Sequence, residues 1–352
     1  MPRVSVLMSV YNGERYLRQA VEGILNQSFT DFEFVIVDDG STDGTWEILG
    51  EYAARDSRIV LLRNEANIGL TRSLNKGLHV ARGEYIARQD ADDVSLPHRL
   101  EKQVAVLQDN PDVVLVSGNI DLMDADGHIW WRRPRRTAPP GLVAWFLLFY
   151  NYLGGHSQVM FRRQAAFDLG GYAEDRPCSQ DYELWLRLAE VGKIVILPDV
   201  LLLYRTHGNS VTSRHGDDQK RYSLMDSQRA MARLLGEEPD LAEVIALRDF
   251  WLGPLPTEDR MGMVHNRLKT LSKAFLKDRV RRGLDEPNLG RSVAWEVAGR
   301  FLTWARVLAR QGRVFPALRA CSLALSWYAL SAALCVRRLA WPLSLSMHSC
   351  TS

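Results

Sequence analysis

Short apolar runs alternate with amphipathic stretches through the first 88 residues, and this alternation constrains the chain more than any other feature. Residues 4–10 are a short, mostly apolar run, broken by Tyr11-Asn12-Gly13. Residues 15–26 then carry Leu17, Val21, Ile24 and Leu25 at helical spacing. Apolar runs at 32–37, 59–62 and 85–88 are separated by predicted helices at 44–54 and 70–81. The order β-α-β-α-β-α-β predicts an α/β fold, a Rossmann-like, mostly parallel sheet with helices on both faces. Ligands of such sheets bind beyond the carboxyl ends of the strands. Three polar clusters, Tyr11-Asn12, Asp38-Asp39 and Asp90-Ala91-Asp92-Asp93, each follow a predicted strand, so all three should meet at one edge.

Further along, a helix is predicted from beyond Pro97 to about Asp109, and strands at 113–117, up to Phe161 and at 194–197. Trp130-Trp131 and the arginines after them read as a loop or hairpin, and Gln180-Asp181 opens a helix through Val191. From about Asp217 the pattern is helical. The expected division is therefore 1–215, an α/β catalytic region, and 216–352, a basic helical region. Apolar residues at 46% and charged residues at 24% fit a folded protein and exclude a disordered one.

The net charge of +2 conceals an asymmetry. Residues 260–340 hold sixteen Lys/Arg against four Asp/Glu, a balance of +12, which leaves −10 for the rest. A basic tail on an acidic catalytic region suggests an anionic surface as partner. Residues 320–336 are free of charge and flanked by Arg319 and Arg337-Arg338. The run is short for a bilayer span, and it reads either as a helix in the membrane interface or as a core helix. The N-terminus reads as a first strand rather than a signal peptide. The four cysteines show no metal-ligand spacing, which suggests free thiols in a reducing compartment. The expected location is cytoplasmic, with peripheral contact to the inner face of the membrane.

Asp90, Asp92 and Asp93 crowd three carboxylates into four residues, an arrangement that needs positive charge among them. Oxygen ligands suit Mg²⁺ or Mn²⁺, with the phosphates of a substrate completing the coordination. An isolated D-x-D would read as a solvated acidic turn. Convergence with Asp38-Asp39 at a second strand end favours the metal reading.

The chain resembles glycosyltransferase family 2 in PRVSVLMSVYNGERYL, VDDGSTDGT, Asn67 to Leu70, ARGEYIARQDADD, and the GGY of 170–172 followed by SQDYELWLRL. The resemblance covers residues 3–210, with the motifs in order. It implies a GT-A nucleotide-diphospho-sugar transferase fold with a helical C-terminal region. Ser9 and Tyr11 would line the nucleotide pocket, and Asp39 would accept a hydrogen bond from the base, favouring UDP or dTDP donors. Arg72 could reach base or phosphate. Asp90 and Asp92 form the D-x-D. Asp92 or Asp93 would bind the metal while another carboxylate touches ribose, and His207 would return to the phosphates or the metal.

The resemblance also marks Asp181 as general base, taking the proton of an acceptor hydroxyl as it attacks the anomeric carbon with inversion. Taken alone, Asp181 would serve the helix dipole. The family often has Glu-Asp where this chain has Gln180-Asp181. His156 reads as an acceptor contact or as a core histidine. Trp130, Trp131 and the arginines that follow read as a platform that stacks on a sugar ring and grips a pyrophosphate, with the tryptophans as candidate acceptor contacts, or as an exposed loop.

The implied enzyme is metal-dependent and builds a cell-surface polysaccharide or glycolipid on a glycan or lipid-linked acceptor. A nucleotidyltransferase is the first alternative, yet YNGERYL offers one glycine where a glycine-rich loop is expected. A dehydrogenase is disfavoured by the absence of G-x-G-x-x-G after the first strand. A non-catalytic nucleotide-sugar or nucleic-acid binding module is the remaining alternative. Intact Asp39, Asp92 and Asp181 argue against it, and no nucleic-acid partner is expected.

Overall fold

The computed structural model describes residues 1–208, 216–253 and 255–339, with side chains through Ser331. The chain divides into two compact units, Met1–Ala230 and Met231–Ser352.

In the first unit, β1 (Val4–Val10), α1 (Glu14–Leu25), β2 (Phe32–Asp38), α2 (Thr45–Ala53), β3 (Ile59–Arg63), α3 (Leu70–Val80) and β4 (Tyr85–Arg88) follow the expected alternation. The four strands are parallel in the order β3-β2-β1-β4. Every residue of β1, β2 and β4 is buried, as strands covered on both faces require. Helix α1 buries Leu17, Ala20, Val21 and Ile24, one stripe of its surface. Gly77 lets α3 lie close on the sheet, since a Cβ there would come within 2.3 Å of Leu7 Cδ1.

The register brings the polar clusters together. Val10 pairs with Asp38, so Tyr11 and Asp39 leave the sheet side by side. Leu7 pairs with Arg88, and the Gln89 amide continues that ladder by donating to the Leu7 carbonyl, which delivers Asp90 to the same edge.

The second half of this unit contains β5 (Val94–Ser95), α4 (Arg99–Asp109), β6 (Val113–Met123), β7 (Ile129–Arg132) and α5 (Pro140–Leu147). It continues with β8 (Met160–Arg162), α6 (Arg163–Asp168), α7 (Gln180–Val191) and β9 (Lys193–Arg205). The full order is β3-β2-β1-β4-β8-β6-β9-β5, with β7 paired to β6. The sheet is mixed but mostly parallel: β8 is antiparallel to β4 and β6, whereas β6 and β9 are parallel.

Strands β6 and β9 outrun the predicted 113–117 and 194–197. Register shifts between Ser117 and Asn119, and the polar Asn119 and Asp121, interrupt the apolar pattern that marks a strand. The tryptophan stretch forms a hairpin, β7 against β6. Helix α5 has no periodic signature because all of Gly141–Leu147 is buried.

Helix α8 (Gly216–Leu235) runs through the division between the units. The second unit continues with α9 (Leu241–Leu252), a 3₁₀ turn, α10 (Met261–Arg281), α11 (Leu289–Arg310) and α12 (Val314–Leu339). Helix α12 packs on α11 and buries Ala317, Ala320, Ala324, Trp327 and Ser331, a stripe at helical spacing. Phe315, Leu318 and Leu325 remain exposed. The run 320–336 lies within α12, and its side chains beyond Ser331 are outside the described residues. Among the described residues, no helix is long and apolar enough to cross a membrane. Cys178 and Cys321 are free thiols; Cys350 and the Cys335 side chain lie outside the described residues.

Candidate active site

The loops after β1 and β2 are joined by side chains. The Asn12 amide donates to the Ser41 hydroxyl, the Thr42 amide to Asn12 Oδ1, and the Gly13 amide to Thr45 Oγ1. Asn12 adopts φ 50°, a left-handed conformation that asparagine tolerates better than most residues. Tyr11 is exposed at this edge and Ser9 is buried in β1. Asp39, also buried, clasps the loop before α3: Oδ1 accepts from the Ile68 amide (2.9 Å) and Asn64 Nδ2 (2.8 Å), and Oδ2 from the Gly69 amide (3.0 Å). Arg72 is exposed on α3 and faces Glu174 at 3.6 Å.

The acidic turn after β4 rests on buried guanidinium groups. Asp90 Oδ1 pairs with Arg88, and Asp90 Oδ2 accepts from the Ser157 hydroxyl at 2.7 Å. Burial would raise the Asp90 pKa, but the Arg88 charge, with His156 and Ser157, outweighs it and holds the carboxyl below its ordinary range. Beneath the turn, Arg99 donates to the Arg88 and Val159 carbonyls and to Gln89 and Ser95. Burial, aided by the Arg88 charge, pushes its guanidinium down to about 9.

The next two carboxylates have different surroundings. Asp93 is buried, and its Oδ1 accepts from the Arg205 amide at 2.9 Å. Burial and the charges of Asp92 and Asp90 push its pKa well above the usual carboxylate range. Asp92 is partly exposed and lies 3.0 Å from His207 Nε2 through its Oδ2. Tyr16 sits against the His207 ring at 5.0 Å and under the Arg205 guanidinium at 4.5 Å. The structure thus joins Asp92 with His207 and turns Asp93 inward. Among the described residues, no group of three or more His, Cys, Asp or Glu side chains is arranged to hold a metal.

Asp181 occupies the first turn of α7, entered through Ser179 at φ 66°. Asn151 Nδ2 donates to Asp181 Oδ2 at 3.0 Å. Burial raises the Asp181 pKa and the Asp90 charge adds to the rise, against hydrogen bonds from the Tyr182 amide and Asn151. Asn151 at Asp181 and Ser157 at Asp90 tie both carboxylates to one segment of chain. His156, in the same segment, is buried, with Nε2 3.0 Å from the Tyr172 hydroxyl and its ring edge-on to Trp185. Burial and the Arg88 charge hold the His156 pKa well below that of an ordinary imidazole. Trp130 and Trp131 stand exposed on β7 with centroids 6.2 Å apart, and Trp130 Nε1 donates to Thr206.

Sequence reasoning passed over Arg88, Arg99, Asn151, Ser157 and Arg205. An arginine ending the otherwise apolar YIAR strand was a usable signal for Arg88. The others act through contacts distant in the chain, which residue type and spacing do not disclose.

Residues 5–170 match the family model described as glycosyl transferase family 2. An uncharacterized glycosyltransferase of Methanocaldococcus jannaschii is 37% identical over 226 residues, covering 63% of this chain and 77% of the relative. Among solved structures, Staphylococcus aureus TarS 1–349 in complex with UDP-GlcNAc superposes with a TM-score of 0.56 at 17% identity, covering 91% of this chain and 90% of that one. The mannosyltransferase PcManGT of Pyrobaculum calidifontis, in complex with GDP-Man and Mn²⁺, superposes with a TM-score of 0.50 at 18% identity, covering 94% and 86%.

Proposed function

This chain belongs to glycosyltransferase family 2, and on that premise we propose that it transfers a sugar, with inversion and with a divalent metal, from a nucleoside-diphosphate donor to a hydroxyl acceptor during synthesis of a cell-surface polysaccharide or glycolipid. The fold is read as GT-A, and residues 1–215 as the catalytic region. The observation that carries the reading is geometric: the segment 151–158 holds Asp181, proposed as general base, through Asn151, and Asp90, the first carboxylate of the D-x-D, through Ser157.

The donor sits over the carboxyl ends of β1, β2 and β4. Ser9 and Tyr11 line the nucleotide pocket, and Arg72 reaches base or phosphate. Asp39 Oδ2 accepts one protein hydrogen bond, which leaves capacity for the N3–H of uracil or thymine. UDP or dTDP is the donor class this supports. The UDP-GlcNAc and GDP-Man complexes of the two structural neighbours support nucleotide-sugar binding more broadly.

Asp92 and His207 fit a metal. Asp92 Oδ2 and His207 Nε2 share a hydrogen bond at 3.0 Å, and this carboxylate and imidazole would together hold the ion. Oxygens of the donor diphosphate would complete the set, as is usual for Mg²⁺ and Mn²⁺. When bound, the ion would offset the charge developing on the departing diphosphate. Asp90, anchored by Arg88 and Ser157, orients toward the ribose. Asp181 takes the proton of the acceptor hydroxyl. Peripheral contact with an anionic membrane surface is assigned to the basic second unit, with Phe315, Leu318 and Leu325 as its apolar anchors.

Calorimetric titration with UDP, dTDP, GDP and ADP, each with Mn²⁺ and with EDTA, tests the reading. Metal-dependent binding of UDP or dTDP is expected. Binding unaffected by EDTA would overturn the metal assignment, and absence of binding by folded protein would overturn the donor assignment.

A further inference from the structure

A cavity of about 230 Å³ opens between β6, the β7 hairpin and the segment 151–158, with Asn119, Trp131, Arg133, Arg136, Tyr152 and Gln158 in its wall. Two of these residues carry guanidinium groups. Arg133 lies over the Trp131 ring at 5.3 Å and Arg136 over the Tyr152 ring at 5.7 Å. Arg132 and Arg135, on the same stretch, both pair with Asp121. Among the described residues, neither Arg133 nor Arg136 has a carboxylate within ion-pair distance. Two cations facing one cavity without a counter-charge repel each other, an arrangement that an anion relieves. The repulsion has a second sign: burial first, then the Arg136 charge, lowers the proton affinity of Arg133.

We propose that this cavity binds the phosphate or diphosphate group of the acceptor, so that the substrate class is a phosphate-bearing glycan or a glycan on a diphosphate carrier. The assignment to the acceptor rests on the glycosyltransferase reading above. Two observations separate the cavity from the donor. It is built on β6, which β4 and β8 separate from β1. It also shares the segment 151–158 with the base: Asn151 holds Asp181, Tyr152 lines the cavity, and Ser157 holds Asp90. The cavity and the proposed base are therefore built on one stretch of chain.

The test is titration of the full chain with inorganic pyrophosphate in EDTA, without nucleotide. Wild-type protein should bind it. The double variant Arg133→Gln/Arg136→Gln should bind roughly tenfold or more weakly, while Arg132→Gln, which leaves Arg135 on Asp121, retains affinity and both variants keep the wild-type circular dichroism spectrum. Arg136→Lys, which keeps the charge, should retain part of the affinity. No binding to wild type, or equal binding to the Arg133/Arg136 variant, overturns the cavity as an anion site. Displacement of pyrophosphate by UDP overturns its assignment to the acceptor, because the anion would then be the donor's. Failure of the donor reading appears separately, as absence of UDP binding with Mn²⁺.

Discussion

Asn151 holds Asp181 by a single hydrogen bond, Nδ2 to Oδ2 at 3.0 Å, and this bond opposes the burial that makes the carboxylate harder to ionise. Burial and the Asp90 charge raise the Asp181 pKa. A general base acts when deprotonated, so kcat/KM should fall with decreasing pH above the ordinary carboxylate range. Asn151→Ala removes one stabiliser of the anion and should move the acidic limb to still higher pH. A pH–rate profile of the two proteins decides, and an unmoved limb would sink the assignment.

Asp181→Asn should lower kcat by about 10²–10⁴-fold, the usual contribution of a general base. Affinity for UDP in the presence of Mn²⁺ should stay within about twofold, since a base on the acceptor side contributes little to donor binding. Near-normal turnover would leave Asp181 as a first-turn carboxylate that serves the helix dipole.

The same substitution should raise Tm at neutral pH. A carboxyl whose folded pKa exceeds its unfolded value binds protons more readily when folded. Its ionisation therefore opposes folding once the pH passes the unfolded pKa, and the effect is complete above the folded pKa. Removing the ionisable group removes that opposition at pH 7 and changes little at pH 3. Melting curves at both values test the sign.

Asp92→Ala and His207→Ala should each abolish the dependence of UDP binding on Mn²⁺; Asp92→Ala should leave Tm near the wild-type value, whereas His207→Ala also removes a ring packed on Tyr16. Calorimetry with Mn²⁺ and with EDTA distinguishes loss of metal from loss of fold. Wild-type metal dependence in both variants would exclude this pair as ligands.

Arg99→Met should cost about 3 kcal/mol or more in stability. It strips donors from the Arg88 and Val159 carbonyls in a buried layer. Urea denaturation measures the loss, and a cost under about 1 kcal/mol would show that water replaces the guanidinium.

Phe315→Ser and Leu318→Ser should each weaken binding to vesicles containing anionic lipid by roughly tenfold, the equivalent of one buried apolar side chain. Sedimentation with vesicles reads the effect. Unchanged partition would remove this face of α12 from membrane contact.

The parallel half of the sheet was legible because its strands are buried on both faces and its helices are amphipathic, so residue type mirrors position in β1, α1 and β2. The meeting of Asp39, Asp90 and Asp92 at one edge followed from strand order and needed no side-chain detail. The later half was less open to reading. Strand β6 carries Asn119 and Asp121 inside the sheet, and α5 is apolar on every side, so neither shows the period of its element. The inward turn of Asp93 was also beyond reach, since its partner is the backbone amide of Arg205. Neighbouring aspartates look alike until the distant chain that meets them is known.

That distant chain gives the molecule an order of assembly. The strands β1 to β4 can pair from the first 88 residues alone. Asp90 meets Ser157 across 67 positions, and Asp93 meets Arg205 across 112. Contacts of such separation form late, because long loops must close before they are rewarded. A nascent chain can therefore pair its four parallel strands before the contacts that hold Asp90 and Asp93 become possible. The acidic turn gains its full set of partners only when Ser157 and the strand carrying Arg205 have been made and have docked.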